Sequence, residues 1–184
     1  MKMKAAILVG LAAFSLSACD RGGDRSAAPP EAGAPAEAWV RKDVVLYLPD
    51  HVMKKRADEA TLSPYLQAAG AAAETAVRAA PVQPGASGMV LVMVKPGGRS
   101  KAWVVTGEPA PSPETLAAAV AAVEAVPAPA VREGPVLVGI GFDAWGGGAA
   151  PAGAQPPIPR DWYAHFSKDG SRLDDAFMAT VWPD

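Results

Sequence analysis

The chain has a single cysteine and only two histidines in 184 residues, which excludes an internal disulfide, a disulfide-stapled scaffold and a zinc ribbon. Charge of either sign is not in surplus: 17 Lys and Arg stand against 19 Asp and Glu, a formal net charge of −2. Neither a strongly basic nucleic-acid protein nor an acidic tail protein fits that balance. No repeat period is present, and no uncharged apolar run reaches the roughly 20 residues a membrane-spanning helix needs. What is abundant is apolar material, at 50% of the chain, together with 19 Pro and 18 Gly. The first suffices for one globular core, and the second requires that parts of the chain be loop or linker.

The N-terminus places Lys2 and Lys4 ahead of an apolar run from Ala5 to Ala18 in which only Ser15 and Ser17 are polar. This is the layout of a signal peptide. As a helix the run would span about 21 Å, short of the roughly 30 Å bilayer core. It ends in Leu16, Ser17, Ala18 and Cys19, which resembles the lipobox of bacterial lipoproteins. In that family the cysteine is acylated and, once the preceding segment is removed, becomes the N-terminus. The resemblance therefore implies a signal peptide over 1–18 and lipidation at Cys19, the one thiol in the chain; a plain secretory signal is the alternative. Two or more acyl chains give stable anchoring. Removal of Lys2 and Lys4 takes the formal charge from −2 to −4. In enteric members of the family an aspartate after the cysteine marks inner-membrane retention, so Asp20 slightly favours the inner over the outer membrane.

From Asp20 to Ala38 the sequence DRGGDRSAAPPEAGAPAEA has no large apolar residue and cannot bury enough surface to order itself. With Cys19 it reads as a lipidated tether over 19–38, with a reach on the order of 25 Å. Residues 39–184 are left as one globular domain.

Within that domain, Val44 to Leu48 reads as a short strand, and the cluster Lys54, Lys55, Arg56, Asp58 and Glu59 as a solvated face. Ser63 and Pro64 look like the cap and first residue of a helix running to about Ala80. Its stripe of Leu66, Ala69, Gly70, Ala73, Val77 and Ala80 is mostly small and suits close approach to a sheet. Met89 to Val94 and Lys101 to Thr106 form a hairpin around a Pro-Gly-Gly turn, and Ser112 and Pro113 open a second helix ended by Pro127. In the strand Val136 to Phe142, Gly139 and Gly141 share one face and leave a trough. A large aromatic, most readily a C-terminal Trp, should fill it, and if open it is the candidate ligand-binding site. A Gly, Ala and Pro loop follows Trp145. Short helices over Ile158 to Phe166 and Ser171 to Trp182 complete the chain, with Trp162 and Trp182 pinning this tail to the sheet.

Signals for chemistry are sparse. Ser87 lacks the G-x-S-x-G spacing of a hydrolase, and neither His51 nor His165 has a nucleophile at a recognisable distance, so no catalytic residue is assigned. Gly139, Gly141 and Ala144 fit G-x-G-x-x-A, but the glycines fall inside a strand and no helix follows, so no nucleotide cofactor is expected. Asp169, Ser171 and Asp175 lack the spacing of a calcium loop, and no metal is expected. The five Trp offer a sugar-stacking platform, but four of them occupy strand or helix positions, which favours core packing or tail docking. The basic turn with Lys95, Arg99 and Lys101 is too small for nucleic acid.

The expected fold class is α+β: a single small sheet with a β-hairpin and two helices packed on a face, then short C-terminal helices. The order helix, hairpin, helix, strand from Ser63 to Phe142, with LAAAVAAVEAVPAPAVREGPVLVGIGF at its end, resembles the C-terminal domain of TonB and TolA. The loop Gly107 to Pro111 departs from that family's serine-rich turn and no proton-motive residues are visible, so the resemblance implies architecture and not energy transduction. WGGG and the final VWP are also similar to uncharacterised proteobacterial lipoproteins. The first functional expectation is a non-enzymatic, membrane-anchored periplasmic module that binds another envelope protein, for example by sheet-edge pairing. The alternatives are a small-ligand binder using the Gly139 and Gly141 trough, and an envelope enzyme using the Gly-rich loop with His165 and Asp161.

Overall fold

Seven of the ten residues of the strand Ala86–Lys95 are buried in an unbroken run from Met89 to Lys95, so both of its faces are covered and the domain has layers on either side of its sheet. The computed structural model describes residues 37–166 and 173–184, all within the compact unit Ala34–Asp184. Cys19, Asp20 and most of the tether lie outside the described residues. Four strands, β1 (Trp39–Leu46), β2 (Ala86–Lys95), β3 (Arg99–Thr106) and β4 (Val136–Ala144), form one antiparallel sheet in the order β1-β4-β2-β3. The fold is α+β, with β2 and β3 as the hairpin. Its turn needs the glycines, since Gly97 and Gly98 both have left-handed φ, 88° and 70°.

Helices α1 (Asp50–Arg56), α2 (Glu59–Ala79) and α3 (Pro113–Glu124) follow β1, α1 and β3 respectively, and α4 (Asp175–Val181) lies near the C-terminus. Helix α2 packs on α3, and α3 on β3. They cover the face that carries Val136, Val138, Ile140 and Phe142. The expected stripe of α2 is buried from Leu66 through Val77. What Gly70 admits, however, is a side chain: a Cβ there would sit 3.3 Å from Arg41 Cδ and 3.9 Å from Ile140 Cγ2.

Two helix boundaries depart from the sequence reading. Asp58, not Ser63, caps α2, its carboxylate accepting the Ala60 N–H at 3.0 Å, and Pro64 lies inside the helix. Pro64 removes one N–H bond, but it and Ala60 are both exposed, so water can meet the freed carbonyl. The charged stretch read as a solvated face ends helix α1 with Lys54, Lys55 and Arg56 and opens α2 with Asp58 and Glu59. Asp50 in the first turn of α1 and Lys54, Lys55 and Arg56 in its last complement the helix dipole. Arg56 is not solvated: its guanidinium binds Pro135 O at 2.9 Å and pairs with both oxygens of Asp175. By contrast α3 begins as expected, with Ser112 accepting the Thr115 N–H.

The opposite sheet face is covered by the C-terminal tail. Trp162, in a 3-10 turn over Arg160–His165, is buried edge-on against Trp103 of β3 at 5.0 Å and against Phe177 of α4 at 5.6 Å. Trp182 lies under Lys95 and Arg99, and Lys95, itself buried, donates to the Trp182 carbonyl and to Asp184. Both tryptophans therefore pin the tail, as their positions suggested. Trp39 and Trp145 are also buried, Trp39 stacked on Phe142 at 4.4 Å. Among the described residues, no helix is long and apolar enough to cross a membrane.

Candidate functional site

The glycine trough is filled from within the chain. A Cβ on Gly139 would collide with the Met89 sulfur and lie 3.0 Å from Tyr47 Cε2. The aromatic that fills it is thus Tyr47, just beyond β1, and not a C-terminal Trp, which is engaged farther along the sheet on Trp103. Tyr47 is fixed there by hydrogen bonds to Met89 Sδ and to the Pro157 carbonyl, and burial pushes its phenol pKa well above the ordinary value. At Gly141 a Cβ would lie 3.0 Å from Lys42 Cβ and 3.3 Å from Asp43 O. That glycine makes room for a β-bulge: the pairings Arg41 with Phe142 and Val44 with Ile140 leave one extra residue on β1 between them.

The bulge also directs Lys42 toward the glycine-rich loop. Lys42 Nζ pairs with Asp143 Oδ2 at 2.6 Å, Ser87 Oγ donates to Asp143 Oδ1 at 2.7 Å, and Gly148 N–H donates to Ser87 Oγ at 2.9 Å. The Lys42 hydrogen bond, then that of Ser87, holds the Asp143 carboxyl below the usual carboxylate range. Its stabilising contribution is therefore present above the ordinary aspartate pKa and is lost as pH falls through the lowered value. A carboxylate this weakly basic, with its serine already bonded to the loop, fastens Gly147 and Gly148 to the sheet; it is a poor general base. Sequence reasoning missed this knot because its three members lie on three separate elements.

The remaining candidates are dispersed. His51 on α1 and His165 are exposed, and no hydrogen bond joins His165 to Asp161, which borders a different groove with Glu108 and Arg160. Gly139, Gly141 and Ala144 lie within β4, and no helix begins after Ala144. Asp169 and Ser171 lie outside the described residues, as does the expected start of the last helix at Ser171; Asp175 is bound to Arg56. Lys95 and Arg99 hold the tail through Asp184, whose carboxyl they keep below its usual range, and Lys101 lies over Trp103. Among the described residues no three His, Cys, Asp or Glu side chains are grouped to hold a metal ion.

The outer side of β1 is open. Val44 and Leu46 are 44% and 45% exposed, although both sit in a strand that pairs on only one side. Beside them a groove of about 720 Å³ runs between β1, α1 and the first half of α2, with Met53, Leu62 and Leu66 as its apolar lining. Arg41, Lys54, Arg132, Asp50, Asp58 and Glu59 ring it. The strand signal at Val44 to Leu48 was legible in part: β1 starts five residues earlier, at Trp39, because the charged Arg41, Lys42 and Asp43 and the bulge mask its first half, and it ends at Leu46. Its edge position was not legible, because strand order depends on partners far away in sequence. No family model, no curated protein and no solved structure matches the chain.

Proposed function

We propose that residues 39–184 form a non-enzymatic interaction module that docks another cell-envelope protein at the β1 edge. In this reading lipid on Cys19 anchors the chain to the membrane with the domain facing the periplasm, and Asp20 favours the inner membrane. One observation carries the docking role: the open side of β1, with half-exposed Val44 and Leu46 above an apolar groove. Exposed apolar strand edges are sites of pairing with other chains, and proteins blunt those they do not use. Here the blunting is confined to one half of the strand, where Arg41, Lys42 and Asp43 supply charge and the bulge breaks the ladder. The half from Val44 to Leu46 is left regular.

The test is photo-crosslinking in the native cell, with the reactive residue at Leu46 or, for comparison, at Val82, which is 84% exposed in the α2–β2 connection. Discrete adducts at Leu46 and not at Val82 are expected. Equal adducts at both sites, or none at Leu46 in a folded, membrane-attached protein, would overturn the docking role. The anchor is checked separately by labelling with a fatty-acid probe, which Cys19→Ala should abolish.

A further inference from the structure

We propose that the segment received by β1 is an extended strand, antiparallel to β1 like every other pair in the sheet, carrying two apolar side chains and one carboxylate in the order apolar, any, apolar, any, acid. This rests on reading β1 as the docking edge and names the partner's chemistry. Tyr47 donates its N–H to Leu137 O, and Ala38 O accepts from Trp145 N–H, so the backbone groups of these two residues, which flank β1, turn toward β4. By strict alternation on either side of the bulge, Arg41, Val44 and Leu46 turn theirs away from the sheet. The same three residues pair with Phe142, Ile140 and Val138, so their side chains share the α2 face and border the groove. Their partners on β4 are two residues apart because the bulge absorbs the extra position. A regular strand laid on the outer side of β1 meets them at that same two-residue spacing.

Cross-strand neighbours then set the sequence: apolar side chains opposite Val44 and Leu46, and a carboxylate opposite Arg41. Arg41 is held for this role by its stem, which lies in the notch left by Gly70. Among the described residues no carboxylate pairs with Arg41. Of the acids around the groove, Asp50 is taken by Lys54 and Asp58 caps α2, which leaves Glu59 as the one remaining acid of the lining against Arg41 and Arg132. A second copy of this chain is a poorer occupant. The two-fold register that sets Val44 opposite Leu46 brings Leu48 and Pro49 toward Arg41, and neither carries charge.

The test uses the full lipidated chain in detergent and a capped, fluorescein-labelled peptide, Ser-Val-Thr-Val-Thr-Glu-Ser, read by anisotropy. Replacing the peptide's glutamate with lysine should weaken binding about tenfold. Arg41→Glu, checked for folding by its thermal transition, should reverse that preference. Equal binding of the two peptides overturns the charge assignment. Binding that survives N-methylation of the peptide valine amides overturns strand addition. Concentration-dependent dimerisation that excludes the peptide replaces the proposed occupant with a second copy. If neither peptide binds although Leu46 forms adducts in cells, the pattern fails and the docking edge stands; if both measurements are blank, both fail.

Discussion

At the β3 edge, the Ala102 N–H is met at 3.0 Å by the Glu124 carboxylate of α3, and Trp103 nearby is covered by Trp162 of the tail. At the β1 edge, the outward N–H groups of Val44 and Leu46 meet no protein group among the described residues, and both side chains stand nearly half exposed. Both strands end the same sheet, and an unpaired edge costs little while water can reach it. The difference lies in what the rest of the chain has been arranged to cover. Two separate elements reach β3 near Ala102 and Trp103, although a groove of about 490 Å³ also runs beside Val104 to Thr106, whereas α1 and α2 pass beside β1 and leave the larger, more apolar groove. The two edges thus differ in how far the chain covers them, and that asymmetry can be broken or sharpened from either side.

The largest effect is expected where the tail closes the β3 side. Trp162 is 1% exposed and touches both Trp103 and Phe177, so Trp162→Ala should cost about 3–5 kcal/mol, read by urea unfolding. It should also raise proteolysis of the tail. A loss under 1 kcal/mol would mean that the tail does not guard that side of the sheet.

On the β1 side the equivalent strain comes from within. Gly139→Val must displace the Met89 side chain or the Tyr47 ring, and overpacking of this kind costs about 1–3 kcal/mol. Because Tyr47 directly follows β1, hydrogen exchange of the β1 amides should quicken more than that of β3. Unchanged stability and exchange would show that β1 is not seated through that contact.

Smaller still is the effect of uncovering one group at β3. Glu124→Ala leaves the Ala102 N–H to water, at about 1 kcal/mol by thermal unfolding, and makes the β3 edge more like β1. If cells then yield crosslinks from a reactive residue at Val104 that the parent chain lacks, openness of an edge suffices for capture. If they do not, the groove beside β1 supplies the selectivity.

How much of this was legible in the sequence follows distance along the chain. The hairpin and the Ser112 cap of α3 are settled by residues within a few positions, and the α+β class follows from their order. Pro64 misled because a Ser-Pro pair has the local form of a helix start, and only the Asp58 carboxylate, five residues before Ser63, shows where the helix begins. Helix α1 was hidden because Met53 is its only buried residue among charged neighbours. The identity of the trough filler, the bulge opposite Gly141, the Ser87 and Asp143 knot and the open edge all depend on pairings between β1, β2 and β4. No periodicity within one segment encodes those.

The smallest effect on stability should accompany the largest effect on contact. Val44 and Leu46 already lie nearly half in water, so the double change Val44→Thr with Leu46→Thr removes little buried surface and leaves β-branched residues, which suit a strand, at both positions. Its thermal transition should fall by no more than a few degrees, corresponding to about 0.5 kcal/mol per site. The Thr side chains still permit backbone pairing, yet they present hydroxyl groups where an incoming apolar side chain would need dry contact. Binding of the glutamate peptide should therefore fall at least tenfold while the fold persists. If peptide binding is retained in the double variant, the apolar positions do not read the partner, and backbone pairing or Arg41 alone carries recognition at β1. If stability collapses instead, these side chains belong to the core, and β1 is not an edge open to a partner.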